Sequence, residues 1–230
     1  MGPMVPTPQS PSAAALPHGA LRARWRETVE RVRSTPGPDP DRYADDLLAR
    51  WSEPQRRYHT VAHLTAVLDH LDTLAPHADD IDTVRLAAWF HDAVYRPDRS
   101  ENEERSAHLA ERALPELGID AARTADVARL VRLTTDHDPQ PGDRDGETLC
   151  DADLAVLGGT PEAYAAYAAA VRAEYGFVPD DAFREGRAAV LRQLLGLPRL
   201  FRTPLGHDRW ELLARRNLTT ELELLTTAAG

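Results

Sequence analysis

The chain of 230 residues has no lysine, since its 27 basic residues are all arginine. This absence excludes lysine Schiff-base chemistry and the phosphate-binding lysine of a P-loop. The only cysteine, Cys150, cannot form an intrachain disulfide and suits a reducing compartment, so we expect a cytoplasmic location. No apolar run approaches the ~20 residues of a membrane span, and we therefore expect no membrane partner.

Positive charge is outweighed by negative charge, since the chain has 27 arginines against 37 acidic residues and a formal net charge of −10 at pH 7. That balance disfavours a nucleic-acid polymer as a partner, although a few arginines could still bind one phosphate. Residues 1–20 are rich in Pro, Ser and Ala and lack the basic start and apolar stretch of a signal peptide. We expect them to form a disordered leader, followed by one domain over residues 21–228. The oligomeric state stays open.

Strand signals are nearly absent, because no sustained alternation of apolar and polar residues occurs. Apolar residues instead recur at helical spacing, which predicts an all-α, single-domain bundle of roughly nine helices. A polar stretch rich in Pro and Gly, 136–147, is expected to be a surface loop. The helices are expected at residues 21–34, 40–51, 61–74, 81–94, 101–114, 121–134, 161–175, 180–195 and 207–226.

The segment Leu86 to Tyr95 is apolar except for an adjacent imidazole and carboxylate, His91 and Asp92. A helix with this composition is apolar on most sides and should lie inside the protein. A buried carboxylate requires a partner or a metal ion, because desolvating it alone is strongly unfavourable. A hydrogen-bonded core histidine beside a paired aspartate is the alternative.

Other polar residues lie in similarly apolar surroundings. His63 follows His59 by one helical turn, and Asp151 and Asp153 lie in the apolar stretch 149–158. Imidazoles together with carboxylates suit a divalent ion such as manganese, iron, cobalt, nickel or zinc. Two of each would leave coordination positions open for water and substrate.

Four phrases of the sequence, with His63 between the first and second, form a further pattern. They are Arg57-Tyr58-His59, Trp89-Phe90-His91-Asp92-Ala93-Val94-Tyr95, Asn102-Glu103-Glu104-Arg105-Ser106-Ala107 and Asp151-Ala152-Asp153-Leu154-Ala155-Val156-Leu157-Gly158. These phrases resemble the HD superfamily of metal-dependent phosphohydrolases, and within it a bacterial subfamily described only as predicted HD phosphohydrolases. The resemblance covers about residues 21–225.

The resemblance implies one divalent ion, with magnesium also allowed, held by His63, His91, Asp92 and Asp153. It implies hydrolysis of a small phosphorylated molecule, for example a nucleotide, by metal-activated water. The candidates for catalytic carboxylates are Asp92, Glu103, Glu104 and Asp151. The candidates for substrate binding are Arg57, His59, His137 and Arg187.

Two other functions remain open on this scaffold. One is a non-catalytic module that binds a nucleotide or another ligand. The other is a di-iron oxygenase, which would need further histidines for its second metal, and His108 and His137 are the candidates. We favour one metal, because His108 lies among charged neighbours on a predicted helix.

Overall fold

The computed structural model describes residues 15–227, which form ten α-helices, one short 3₁₀ helix and no strand. This confirms the all-α, single-domain prediction, and the helix number is close to the nine expected. The helices are α1 (Ala15–Val32), α2 (Asp41–Trp51), α3 (Val61–Leu74), α4 (Ile81–Phe90), α5 (Asn102–Glu116), α6 (Ala121–Leu133), α7 (Arg144–Leu154), the 3₁₀ helix Ala155–Gly158, α8 (Pro161–Glu174), α9 (Asp180–Gly196) and α10 (Pro204–Thr227).

Several helix boundaries differ from the prediction. Helix α1 begins at Ala15, so residues 15–20 of the predicted disordered leader are helical, while the rest of that leader lies outside the described residues. Helix α7 begins at Arg144, inside the predicted loop 136–147, because the Asp143 side chain accepts a hydrogen bond from the Gly146 N–H and caps it. The average composition of residues 136–147 indicates a loop and does not reveal that a helix begins inside this stretch.

Helix α4 ends at Phe90 instead of continuing to residue 94, and this places His91 and Asp92 in the turn that follows. The buried Arg56 guanidinium donates to the carbonyl oxygens of Asp92 (2.8 Å) and Ala93 (3.3 Å). Hydrogen bonds from a side chain replace those of a helical ladder at these carbonyls. Because His91 and Asp92 lie in this turn, their side chains do not have to point in the directions that α4 would impose.

The core consists of two apolar clusters that lie side by side. The first includes Trp25, Trp51 and Trp89 from the N-terminal helices, with the rings of Trp25 and Trp89 edge to face at 5.3 Å. The second is formed by the C-terminal helices, with Phe201 fully buried, and Trp210 contacts both clusters. Residues from both halves line the main cavity described below.

Asp151 joins the two halves. Its two carboxylate oxygens accept hydrogen bonds from the backbone N–H groups of Arg202 and Thr203, both at 2.8 Å. Gly206 packs so closely on this carboxylate that a Cβ there would collide with it. Burial raises the pKa of Asp151 to about 6, although these hydrogen bonds by themselves would lower it. Asp151 therefore anchors the start of α10.

Across residues 15–227, no helix combines the length and the apolar character that crossing a bilayer requires. Cys150 is buried in α7, and burial raises the pKa of its thiol.

Candidate metal centre and its cavity

Three predicted ligands from three parts of the chain meet at one point. His63 Nε2 lies 2.9 Å from Asp153 Oδ1, and His91 Nε2 lies 3.6 Å from the same oxygen. The two imidazole nitrogens are 3.4 Å apart. One donor atom from each residue lies within 4.8 Å of the others, so this group can hold a metal ion.

The ring of His91 is fixed so that Nε2 points to the centre. Its Nδ1 lies 2.8 Å from the Ala88 carbonyl oxygen, which can only accept, so Nδ1 carries the hydrogen. The ring is 1% exposed and packs against Trp51 at 5.3 Å between centroids. A backbone acceptor behind a ligating imidazole is the usual arrangement in metal sites.

Asp92, the fourth predicted ligand, lies next to this group. Its Oδ2 is 3.4 Å from His91 Nε2 and 3.8 Å from His59 Nε2. Asp92 lines the same cavity as His91 and Asp153. The group of donor atoms that can hold an ion does not include Asp92, which lies at its edge.

The charges of the centre favour a cation. Burial would raise the pKa of Asp153, but His91, His137 and His63 outweigh burial and hold that pKa well below its usual range. Burial would lower the pKa of His91, but Asp92 and Asp153 raise it to about 9. Burial dominates at His63 and lowers its pKa. Two imidazoles and the ionised carboxylate of Asp153 are a donor set typical of a divalent transition metal.

His137 contacts the other oxygen of Asp153. Its Nε2 lies 2.7 Å from Asp153 Oδ2, and its backbone has a φ of 53°. This left-handed conformation is uncommon outside glycine, and the backbone there turns between α6 and α7. His137, predicted as a substrate-binding residue, therefore lies at the centre.

His59 is held at the cavity by a carboxylate that the sequence did not single out. Glu174 Oε1 is 2.5 Å from His59 Nδ1, and Glu174 Oε2 accepts the backbone N–H groups of Arg57 (2.8 Å) and Tyr58 (3.1 Å). Burial opposes ionisation of Glu174, but His59 and these N–H groups lower its pKa to about 2. Burial likewise opposes charge on His59, while Asp92 and Glu174 raise its pKa.

One sequence signal for Glu174 exists. It is the last residue of α8, where the negative end of the helix dipole disfavours a carboxylate. An acidic residue at that position is expected to have a compensating partner.

A cavity of about 600 Å³ opens onto the centre. Four of the predicted site residues outside the metal group, His59, His137, Glu103 and Arg187, line it. Tyrosines and apolar side chains, most of them from the C-terminal helices, complete its lining. They include Tyr95, Tyr167, Val171, Tyr175, Val178 and Phe183.

Arg187 also lines this cavity, but its charge is already paired. Its Nε and Nη2 donate to Glu221 at 2.8 and 2.9 Å, and its Nη1 donates to Tyr167 Oη at 3.2 Å. The side chain is only 9% exposed, and Glu221 also accepts from Tyr164. The ion pair raises the pKa of Arg187 despite burial.

The structure places three predicted site residues elsewhere. Glu104 points to the surface and binds Arg132 through both oxygens at 2.7 and 2.8 Å, because successive helical residues point about 100° apart and only Glu103 faces the cavity. Asp151 is occupied by backbone N–H groups, as described above. Arg57 lies outside the main cavity, and its Nη1 donates to the Pro54 carbonyl at 2.6 Å.

A second cavity, of about 290 Å³, borders His63 and Asp153 from another side. Tyr58 and Tyr167 line both cavities, and their rings meet edge to face at 4.7 Å. Arg57 lines this second cavity. The centre is thus approached from two directions.

Comparisons of the chain with protein-family models, with curated proteins and with solved structures give no match. The resemblance to the HD superfamily therefore stays a prediction from the sequence phrases, and the function has to follow from the centre and its cavity.

Proposed function

We propose that the chain is a metal-dependent phosphohydrolase of the HD type that hydrolyses a small phosphorylated molecule. The observation that carries the proposal is the group of His63, His91 and Asp153, which can hold an ion, at a cavity of small-molecule size. Asp92 would complete the ligand set. The ion proposed is one divalent manganese, iron, cobalt, nickel or zinc, with magnesium as a further option.

A bound divalent ion would act as a Lewis acid on the phosphoryl group and activate water for attack on phosphorus. The chain's own residues supply the remaining needs. Glu103 is the carboxylate outside the ligand set that lines the cavity and can accept a proton. Glu174 holds His59 through Nδ1, and the other ring nitrogen, Nε2, lies 3.8 Å from Asp92 Oδ2. From there His59 can donate a proton to the leaving oxygen.

The net charge of −10 fits a small substrate better than a nucleic-acid polymer. The single cysteine fits the reducing cytosol in which we place the reaction.

The test is metal content and turnover on protein purified without chelator or metal-affinity resin. His91→Ala is compared with His108→Ala, which removes an imidazole that is 59% exposed and lies beside Glu104 on the surface. We expect about one transition metal per chain in the wild type and in His108→Ala, with hydrolysis of members of a phosphate-ester panel. Both properties should be lost in His91→Ala.

The proposal would be wrong if His91→Ala retained both its metal and its hydrolytic activity. Bound metal with no turnover of any phosphate would favour the ligand-binding module. Two irons per chain would favour the oxygenase, although His108 lies on the surface of α5 and only His137 adds an imidazole at the centre.

A further inference from the structure

The cavity offers little positive charge to a substrate. Among the described residues that line it, the carboxylates are Asp92, Glu103 and Asp153, and the only arginine is Arg187. The imidazoles that line it already face carboxylates, His59 at Glu174 and both His91 and His137 at Asp153. Glu221 neutralises Arg187 through two hydrogen bonds. Sites that bind several linked phosphates supply arginine or lysine clamps or helix N-termini for each of them. Asp92 and Asp153 would match most of the charge of one divalent ion here, so little positive charge remains for the second and third phosphates of a diphosphate or triphosphate.

The far wall of the cavity is apolar. Helices α8 and α9 and the segment between them contribute Val171, Val178, Phe183 and Val190. Val190 is 47% exposed, so part of this apolar wall is open to solvent. Apolar surface at the wall of a preformed cavity indicates an apolar ligand.

The rim of the cavity continues this surface with aromatic rings. Phe177 is 59% exposed and stacks on Tyr175, with centroids 6.1 Å apart and an interplanar angle of 25°. Phe183 contacts the same tyrosine at 6.2 Å. A group of neighbouring aromatic rings with an exposed member, Phe177, can cover a flat or aliphatic group.

A glycine keeps this part of the cavity open. Gly186 lies inside α9 and lines the cavity, and a Cβ added there would meet no atom within 4 Å. Glycine weakens a helix interior, and no close backbone contact requires it here. The space beside Gly186 is therefore available to a ligand.

We infer that the substrate is a phosphate monoester with one phosphoryl group and an apolar or aromatic, uncharged body. The inference rests on the proposed function and narrows its substrate class. The phosphoryl group lies at the metal centre, and the body lies against Val171, Phe183 and Val190. The cavity volume of about 600 Å³ is larger than a phosphoryl group needs, which leaves room for such a body.

The first measurement is turnover by the manganese-loaded full chain. Phenyl phosphate and hexyl phosphate are compared with glycerol phosphate and adenosine triphosphate. We expect kcat/KM for the first two to exceed that of the others by about tenfold or more, the discrimination that an apolar pocket typically supplies. The second measurement is calorimetric binding of phenylphosphonate and methylphosphonate, which carry the same anionic group on a bond that is not hydrolysed. Phenylphosphonate should bind about tenfold more tightly.

Two pairs of variants locate the body. Val190→Asp places a charge on the apolar wall, and Leu212→Asp adds the same charge at a position on α10 that is 64% exposed and outside the cavity. Gly186→Leu fills the open space, and Gly196→Leu makes the same change at a glycine of α9 that has open space but does not line the cavity. Val190→Asp and Gly186→Leu should each raise KM for phenyl phosphate about tenfold, and neither should change the affinity for methylphosphonate. The control variants Leu212→Asp and Gly196→Leu should keep the wild-type KM for phenyl phosphate.

These outcomes test the substrate class and the proposed phosphohydrolase function separately. Faster turnover of glycerol phosphate or adenosine triphosphate overturns the inference and leaves the phosphohydrolase intact. No turnover of any ester overturns the proposed function, and the phosphonate comparison then decides the inference by itself. Equal binding of the two phosphonates, or equal effects of cavity and control variants, overturns it.

Discussion

Metal affinity should depend steeply on pH, because a proton and a metal ion compete for Nε2 of His91. The Nδ1 hydrogen of His91 is committed to the Ala88 carbonyl, so Nε2 is the only nitrogen that can take either one. Burial favours the neutral ring, but the charges of Asp92 and Asp153 outweigh it and raise the pKa to about 9. At pH 7 the metal-free centre therefore holds a proton that an incoming ion must displace.

The magnitude follows from this single proton. Below pH 9, each decrease of one pH unit weakens the apparent metal affinity about tenfold, or about 1.4 kcal/mol. The apparent Kd should therefore rise about hundredfold when the pH falls from 8 to 6. The stability of the metal-free protein has the opposite dependence. A raised pKa stabilises the folded state fully below pH 6.5, and that contribution disappears as the pH rises through about 9.

The assay is competition for manganese against a chelator of known proton affinity at pH 6, 7 and 8. The His108→Ala variant is the control, since its imidazole lies on the surface and should leave the slope unchanged. An apparent Kd that is the same at pH 6 and pH 8 would refute the competition for His91. Unfolding curves of the metal-free protein at the same pH values check the opposite trend.

The remaining predictions concern buried carboxylates around the cavity. Glu174→Gln should lower the free energy of unfolding at pH 7 by about 3 kcal/mol, because the folded pKa of Glu174 is about 2 against 4.5 without the fold. The wild type should lose this stabilisation as the pH falls from 4.5 towards 2, and equal urea midpoints at pH 7 would contradict it. Arg187→Met should lower the free energy of unfolding by about 3–5 kcal/mol, because the largely buried Glu221 loses its ion-pair partner and keeps only the hydrogen bond from Tyr164. Adding Glu221→Leu should recover most of this loss in thermal unfolding. A single variant as stable as the double would show that the pair is not coupled.

Much of the fold and the centre could be predicted from the sequence, because local patterns determine them. His91 and Asp153 stand out since each interrupts an apolar helical stretch, and such polar residues are buried whatever the topology. Asp151 and Asp153 show the limit of this reasoning. They are two residues apart on α7 and point about 200° apart, so one faces the centre and the other holds the start of α10. Both positions look alike in the sequence.

Partners that are distant in the chain could not be predicted. Glu174 reaches His59 across 115 residues, and Arg187 is neutralised by Glu221 on another helix. A charged residue in a sequence does not show whether its charge is free or already paired. That information decides the role of Arg187, since an arginine held by Glu221 forms part of the cavity wall instead of a free phosphate clamp.

The second cavity gives an ion at the centre a route to solvent that a substrate in the main cavity does not cover. His63 and Asp153 line that cavity together with Tyr58 and Tyr167. An ion at the centre would then be able to exchange with solvent on this side while a substrate fills the main cavity. Metal exchange and turnover would proceed at separate rates, so a preparation could lose its ion during storage even with the active-site ligand bound.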